Sequence, residues 1–218
     1  MIKKTKILSA SILFLLIIVL HITGLLVDNT LAFFTKPFIT ISLVVLYLIS
    51  VKKANFWYVS ALFFSFWGDT FLLFKQDFFL FGLVSFLMAH ILYIKISANY
   101  LKMISPSKIL GASIPFIIAF GSIIYLIKDG LTEMLIPVII YGIIISTFGT
   151  IALINYSQEK STENLWLLLG AIIFIISDSL LAINMFYEAK SIYGVSIMIT
   201  YIVAQYLICK VMIVKDSN

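Results

Sequence analysis

The feature that most limits how this chain can fold is a series of apolar stretches, each about as long as the 20 residues that a membrane-spanning helix needs. Hydrophobic residues make up 62% of the chain and charged residues only 11%. Soluble domains have about 45–50% apolar and about 25% charged residues. A soluble fold of 218 residues could not cover its surface with so few polar side chains. The sequence therefore predicts an all-α integral membrane protein.

The apolar stretches predict a bundle of eight transmembrane helices in a single membrane domain that covers residues 1–218. The expected spans are 7–27, 33–51, 54–74, 78–98, 108–127, 133–154, 165–187 and 191–213. The least distinct boundary is between the third and fourth spans, where only Lys75, Gln76 and Asp77 interrupt an aromatic-rich run. We expect these three residues to form the turn of a helical hairpin, because one helix of about forty residues is too long for a single crossing.

The lysines predict the orientation of the chain. The 15 residues of the Lys and Arg class are all lysines, and with eight spans eleven of them lie on the side that holds both termini. The four on the other side are Lys36, Lys75, Lys128 and Lys190. The positive-inside rule then puts both termini in the cytoplasm, and we expect a bacterial cell membrane. The basic start has no cleavage site after it, so we expect the first span to be retained.

Two aspartate motifs indicate an internal repeat. Gly68-Asp69-Thr70-Phe71-Leu72 in the third span matches Ser177-Asp178-Ser179-Leu180-Leu181 in the seventh, 109 positions later. Phe81-Gly82 in the fourth span matches Tyr193-Gly194 in the eighth, 112 positions later. Because the matched spans run in the same direction, the pattern predicts a parallel 4+4 repeat with halves 1–105 and 106–218. A short motif that recurs by chance is the alternative.

Asp69 and Asp178 are the main candidates for function, because each is expected inside an apolar helix. A carboxylate at the bilayer centre costs about 2.5–3.5 kcal/mol and should face the bundle interior or a water-filled cavity. At about 1.5 Å per residue, the two lie at similar depths in their spans. Burial favours the neutral carboxyl group, so a neutral acid beside an ionised base is a natural outcome. The alternative is a pair of structural aspartates, each hydrogen-bonded to a polar neighbour.

Five further residues are supporting candidates, each with an ordinary structural alternative. Lys36 is expected at the depth of the aspartates and could pair with one of them or bind a phosphate, or it extends towards the interface as many membrane lysines do. His90 and Tyr93 share one face of the fourth span, and Tyr201 and Gln205 share one face of the eighth. Either pair could relay protons or simply pack. Two histidines and one cysteine do not provide a three-histidine zinc site, so we expect no metal and no cofactor.

At these positions the sequence resembles the YhhN family of membrane proteins, the lysoplasmalogenases. The similarity lies in spans two to four and seven to eight. Its residues are Lys36-Pro37, 64–69 with Leu72, Phe81-Gly82 with Phe86, His90 and Tyr93, Gly170-Ala171 with Phe174, and 177–182.

The resemblance implies hydrolysis of the vinyl ether bond of a lysoplasmalogen, a lysophospholipid, to a fatty aldehyde and a glycerophospho-base. It also implies that Asp69 and Asp178 form the catalytic pair, supported by Lys36, His90 and Tyr93. Protonation of the β-carbon of a vinyl ether gives an oxocarbenium ion to which water adds, so one acid and one base suffice. The sequence does not assign the two roles.

Two other classes of function stay open. A proton-coupled transporter also uses paired intramembrane carboxylates. A lipid-binding protein without catalysis is the second alternative. A nucleic-acid partner is not expected, because the lysines form no basic face. The oligomeric state is left open.

Overall fold

The computed structural model describes residues 2–217, and this range is helical without strands. Its α-helices are α1 (Ile2–Val27), α2 (Asn29–Ser50), α3 (Phe56–Phe71), α4 (Lys75–Ala98), α5 (Pro106–Leu131), α6 (Leu135–Gln158), α7 (Thr162–Phe186) and α8 (Ser191–Ser217). Each helix coincides with one of the predicted spans. The predicted all-α fold is therefore confirmed.

Within residues 2–217, six continuous helical segments are long and apolar enough to cross a membrane, so the chain is an integral membrane protein. Two of the six, Phe56–Ala98 and Pro106–Gln158, each contain two of the α-helices joined by a short 3₁₀ turn. α3 alone has 16 residues, which is about 24 Å and shorter than a hydrocarbon core of about 30 Å. The number of eight crossings therefore stays a prediction.

The reversal between α3 and α4 includes the three polar residues that the sequence predicted as the turn. A 3₁₀ turn at Leu72–Phe74 follows α3, and Phe78 has non-helical backbone angles (φ −119°, ψ 17°) directly after Lys75, Gln76 and Asp77. These three residues therefore lie within the reversal as predicted, and the 3₁₀ turn adds three apolar residues before them. A 3₁₀ turn keeps its backbone groups hydrogen-bonded, so apolar residues can take part in a reversal within a membrane. Asp69 lies in the last turn of α3, nearer to the helix end than the sequence predicted.

Two cation–π contacts show that α3–α4 and α7–α8 are antiparallel hairpins. The Lys95 Nζ atom near the end of α4 lies 3.2 Å from the ring centroid of Trp57 at the start of α3. The Lys210 Nζ atom in α8 lies 3.8 Å from the ring centroid of Trp166 near the start of α7. Trp57 and Trp166 are 109 positions apart, as Asp69 and Asp178 are. These contacts agree with the 4+4 repeat, which stays a prediction.

The helix packing brings polar side chains together in two regions. α3 packs between α2 and α4, and α7 packs between α6 and α8. The two hairpins are connected through their neighbours: α2 contacts both α3 and α8, and α6 contacts both α4 and α7. One region therefore receives side chains from α2, α3 and α8, and the other receives them from α4, α6 and α7.

Candidate active site

Asp69 is enclosed in the bundle by hydroxyl groups from two neighbouring helices. Its side chain is only 2% exposed. The Thr40 hydroxyl of α2 donates a hydrogen bond to Asp69 Oδ2 at 2.8 Å, and the Tyr201 hydroxyl of α8 donates to the same oxygen at 2.7 Å. Hydrogen bonds from hydroxyl groups to a carboxylate are charge-assisted and strong. Asp69 is therefore fixed in position and is well placed to carry a negative charge.

The hydrogen bonds continue from Tyr201 deeper into the bundle. Gln205 Nε2 lies 3.4 Å from the Tyr201 hydroxyl and donates to Ser65 Oγ at 3.1 Å. The Tyr93 hydroxyl donates to Gln205 Oε1 at 2.8 Å. We call this set the Asp69 network: Asp69, Thr40, Tyr201, Gln205, Ser65 and Tyr93. It joins four of the residues that the sequence predicted as candidates.

A cavity of about 510 Å³ lies between the ends of the helices, on the side where α3 turns into α4. We call it the lysine cavity, because Lys36 and Lys75 line it. Lys36 precedes Thr40 by one helical turn on α2. Lys36 and Asp69 do not form an ion pair among the described residues. The polar residues that line this cavity are His21, Asn29, Lys36, Lys75 and Asn184.

Both aspartates lie one turn below the apolar floor of the lysine cavity. Leu72 and Leu181 line the cavity, and they follow Asp69 and Asp178 by three positions. Met198 also lines it and precedes Tyr201 by three positions. Residues three apart lie on the same face of a helix. The similar depth that was expected for the two aspartates agrees with this shared floor.

Asp178 has fewer hydrogen-bond donors than Asp69. The Tyr141 hydroxyl of α6 donates a short hydrogen bond to Asp178 Oδ2, and it lies 3.4 Å from His90 Nδ1. His90 Nδ1 is 2.8 Å from the Phe86 carbonyl oxygen. Because a carbonyl only accepts, Nδ1 carries the proton and His90 Nε2 is left with a lone pair. We call Asp178, Tyr141 and His90 the Asp178 network.

Asp178 also borders open space, since its side chain is partly exposed and not buried. Two small cavities of about 60 Å³ and 40 Å³ are each lined by Asp178 and Tyr141. The smaller one is also lined by Leu72 and Leu181. Since these two leucines line the lysine cavity as well, the small cavity adjoins it through the leucine pair.

Aromatic rings stand between the two networks. The Phe174 ring centroid lies 5.5 Å from that of Tyr201 and 4.5 Å from that of His90. The Phe86 ring centroid lies 5.8 Å from that of Tyr201. Four candidates are thus in the Asp69 network, His90 and Asp178 are in the other, and Lys36 lies in the lysine cavity. The expectation that both carboxylates face one shared chamber stays a prediction.

Sequence reasoning missed three residues that bind these side chains directly. Thr40 lies four positions after Lys36, and Ser65 lies four positions before Asp69, so one-turn spacing from a known candidate was a usable signal for both. Tyr141 had no such signal, because no candidate residue lies on α6.

Comparison with known proteins gives one result. The model of the YhhN family matches residues 31–212, which is most of the chain and includes both networks. Neither the comparison with curated proteins nor the comparison with solved structures gives a match.

Proposed function

The chain belongs to the YhhN family, and from this premise we propose that it is a membrane hydrolase that cleaves the vinyl ether bond of lysoplasmalogens. The products are a fatty aldehyde and a glycerophospho-base. The observation that carries the proposal is the placement of two carboxylates with different partners, one turn below the floor of a cavity lined by lysines. This arrangement supplies an acid, a base and a positively charged binding site for a phosphate.

The substrate enters with its phosphate near Lys36 and Lys75 and its hydrocarbon chain among the helices. In a lysoplasmalogen the vinyl ether lies a few bonds below the phosphate, next to the glycerol. With the phosphate in the lysine cavity, this bond comes to the level of Leu72 and Leu181. The leucine side chains must move apart to admit it, because the cavity beneath them measures only about 40 Å³.

Asp69 is the base and Asp178 is the acid in this proposal. Two hydroxyl donors stabilise the ionised form of Asp69 better than a single donor stabilises that of Asp178. Asp178 accepts from the single hydroxyl of Tyr141 and lies in a mainly apolar setting, which favours the neutral form. The neutral carboxyl group can then donate its proton to substrate.

The reaction balances with these two residues and one water molecule. Asp178 transfers its proton to the β-carbon of the vinyl ether, and the α-carbon becomes an oxocarbenium ion. Water adds to this carbon while Asp69 takes its proton, which gives a hemiacetal. The ionised Asp178 then removes the hemiacetal hydroxyl proton, and Asp69 protonates the leaving glycerol oxygen. Both carboxyl groups return to their starting states.

The topology belongs to the same proposal. We infer that all eight helices cross the membrane and that both termini lie in the cytoplasm, because eleven of the lysines collect on that side. The lysine cavity then opens on the opposite face of the membrane.

The test is product formation by the purified protein in detergent. A lysoplasmalogen and a 1-acyl lysophospholipid are incubated side by side, and the products are identified by mass spectrometry. We expect aldehyde from the vinyl ether lipid and no fatty acid from the ester. Turnover in detergent also excludes a purely transporting protein, because transport needs a sealed compartment.

The matched control is a carboxylate outside both networks. Asp129→Asn, at an exposed position of α5, should leave aldehyde formation unchanged, whereas Asp178→Asn should remove it from a protein that is still folded. A wild-type protein that releases no aldehyde would refute the proposal, and so would full activity in Asp178→Asn.

A further inference from the structure

His21 is a buried histidine that the proposed reaction does not use. It lies on α1, outside residues 31–212 that match the family. Its side chain is 1% exposed, and it lines the lysine cavity together with Lys36 and Lys75. A buried imidazole beside a cavity with two lysines needs an explanation in terms of what it binds.

The hydrogen bonds of Thr35 determine which nitrogen of His21 carries the proton. Thr35 Oγ1 lies 2.7 Å from the Leu31 carbonyl oxygen, to which it must donate its single hydrogen. His21 Nδ1 lies 3.0 Å from the same Oγ1 atom. Because the threonine hydrogen is already used, Nδ1 is the donor in this contact. The neutral ring therefore has its lone pair on Nε2.

This lone pair is unpaired within the part of the chain that the structure describes. His21 Nε2 is buried and has no hydrogen-bond partner there. An unpaired buried acceptor is unfavourable, and most buried polar atoms in proteins have a partner. A ligand in the lysine cavity that brings an O–H donor would satisfy it. Because Nε2 itself is fully enclosed, the donor must be as small as a hydroxyl and reaches the nitrogen only when the side chains around the ring move.

The rest of the cavity favours an anion. Lys36 and Lys75 take part in none of the ion pairs among residues 2–217. Asn29 and Asn184 add amide groups, and the residues that line the cavity include no carboxylate. A phosphate group meets this set of partners well, because each lysine offers a point charge and several donors.

We propose that the lysine cavity binds the phosphate and the free glycerol hydroxyl of a single-chain phospholipid. Lys36 and Lys75 bind the phosphate, and His21 Nε2 accepts a hydrogen bond from the sn-2 hydroxyl. This inference rests on the proposed function and names the residue that selects its substrate class. A two-chain phospholipid carries an ester at sn-2, which has no hydrogen to donate and brings a second chain against the enclosed ring. His21 thereby excludes two-chain lipids.

The experiment measures binding without hydrolysis. A 1-acyl lysophosphatidylethanolamine has no vinyl ether, so its binding to the purified protein can be followed by native mass spectrometry without cleavage of that bond. Its 2-O-methyl analogue lacks only the hydroxyl hydrogen. We expect the wild-type protein to bind the hydroxyl compound about tenfold more tightly, as for loss of one buried hydrogen bond. His21→Phe, which keeps a ring of similar size, should bind the two compounds equally.

A second variant separates the phosphate contact from the hydroxyl contact. Lys75→Gln changes an exposed side chain and should weaken both phosphate compounds equally, without affecting 1-monoacylglycerol. If His21→Phe does not fold, Thr35→Val replaces it. This variant removes the Thr35 hydroxyl that accepts a hydrogen bond from His21 Nδ1. The imidazole ring is then free to turn, and the preference for the hydroxyl compound should fall several-fold.

Three results would overturn the inference. One is a wild-type protein that binds the methyl ether as tightly as the hydroxyl compound. Another is a hydroxyl preference that His21→Phe or its replacement leaves unchanged. Inorganic phosphate at the same concentration should not compete; if it does, the cavity is a simple anion site and the inference fails.

Failure of this inference and failure of the proposed function give different results. A protein that releases no aldehyde but keeps its hydroxyl preference binds single-chain phospholipids without hydrolysing them. A protein that releases aldehyde without any hydroxyl preference is a hydrolase that selects its substrate by other contacts.

Discussion

Asp69 and Asp178 lie one turn below the same cavity floor, but their surroundings differ. Asp69 is 2% exposed and accepts hydrogen bonds from Thr40 and Tyr201 at one oxygen. Asp178 is partly exposed, borders two small cavities and accepts a hydrogen bond from Tyr141.

The comparison shows how one residue type can have two chemical roles in one chain. Two hydroxyl donors stabilise negative charge, whereas one donor in an apolar setting leaves the neutral carboxyl group able to donate a proton. Similar sequence motifs therefore do not make equivalent sites, because the partners come from other helices.

The largest expected effect concerns the assignment of acid and base. Protonation of carbon is the difficult step, so Asp178→Asn should lower kcat for aldehyde release by about 10⁴-fold, and Asp69→Asn by about 10²-fold. Initial rates of aldehyde release, followed by mass spectrometry, give both losses of kcat. The same rates in heavy water give the solvent isotope effect of carbon protonation, which should persist in Asp69→Asn. The opposite order of the two losses would exchange the roles.

A smaller difference is expected when the hydroxyl donors are removed. Tyr141→Phe takes away the hydroxyl that stabilises Asp178 once its proton has left, and kcat should fall about tenfold. Thr40→Val leaves the Tyr201 hydroxyl in place on Asp69, so kcat of this variant should fall only about threefold. Tyr125→Phe at an exposed position of α5 serves as the control. Equal losses of kcat in Thr40→Val and Tyr141→Phe would show that Tyr201 does not compensate for the lost Thr40 hydroxyl on Asp69.

The smallest effect concerns stability and tests the residues that precede the two aspartates. A Cβ atom at Gly68 would lie 2.6 Å from ring atoms of Phe86, so the ring between the two networks would have to move. Gly68→Ala should lower the free energy of unfolding by about 1–3 kcal/mol. Ser177, at the matching position, donates to the Ile197 carbonyl oxygen at 3.0 Å, and Ser177→Ala should cost about 1 kcal/mol.

The control for the glycine change is a glycine in open space. Gly111 has no atom within 4 Å of an added Cβ, so Gly111→Ala should leave stability unchanged or raise it slightly. Thermal unfolding in one detergent compares all three variants. A Gly68→Ala protein as stable as wild type would mean that Phe86 adjusts freely.

Much of the fold and part of the site were predictable because a polar group in a membrane must find its partner within the protein. Tyr93, Tyr201 and Gln205 are polar residues in apolar helices, and the structure joins all three to the Asp69 network. The α-helices follow the apolar stretches for the same reason, because a helix satisfies its own backbone.

The remaining contacts had at most a spacing signal, which can single out a residue such as Thr40 but does not identify its partner. A serine or threonine in a helix usually donates to a carbonyl of its own helix, as Ser50 and Thr70 do here. Nothing in the sequence shows that Thr40 donates to Asp69 instead. The 3₁₀ turn at Leu72–Phe74 was equally hidden, because its residues are as apolar as the helix before it.

The position of Asp69 near the end of α3 has a consequence for how lipid reaches it. Phe63 and Trp67 on this helix are exposed, so we expect lipid chains to lie against it. Asp69 is followed closely by the 3₁₀ turn at Leu72–Phe74, so we expect it to lie nearer to one membrane surface than to the midplane. We expect a lipid that diffuses along this leaflet to bring its glycerol to the depth of the carboxylate without leaving the bilayer.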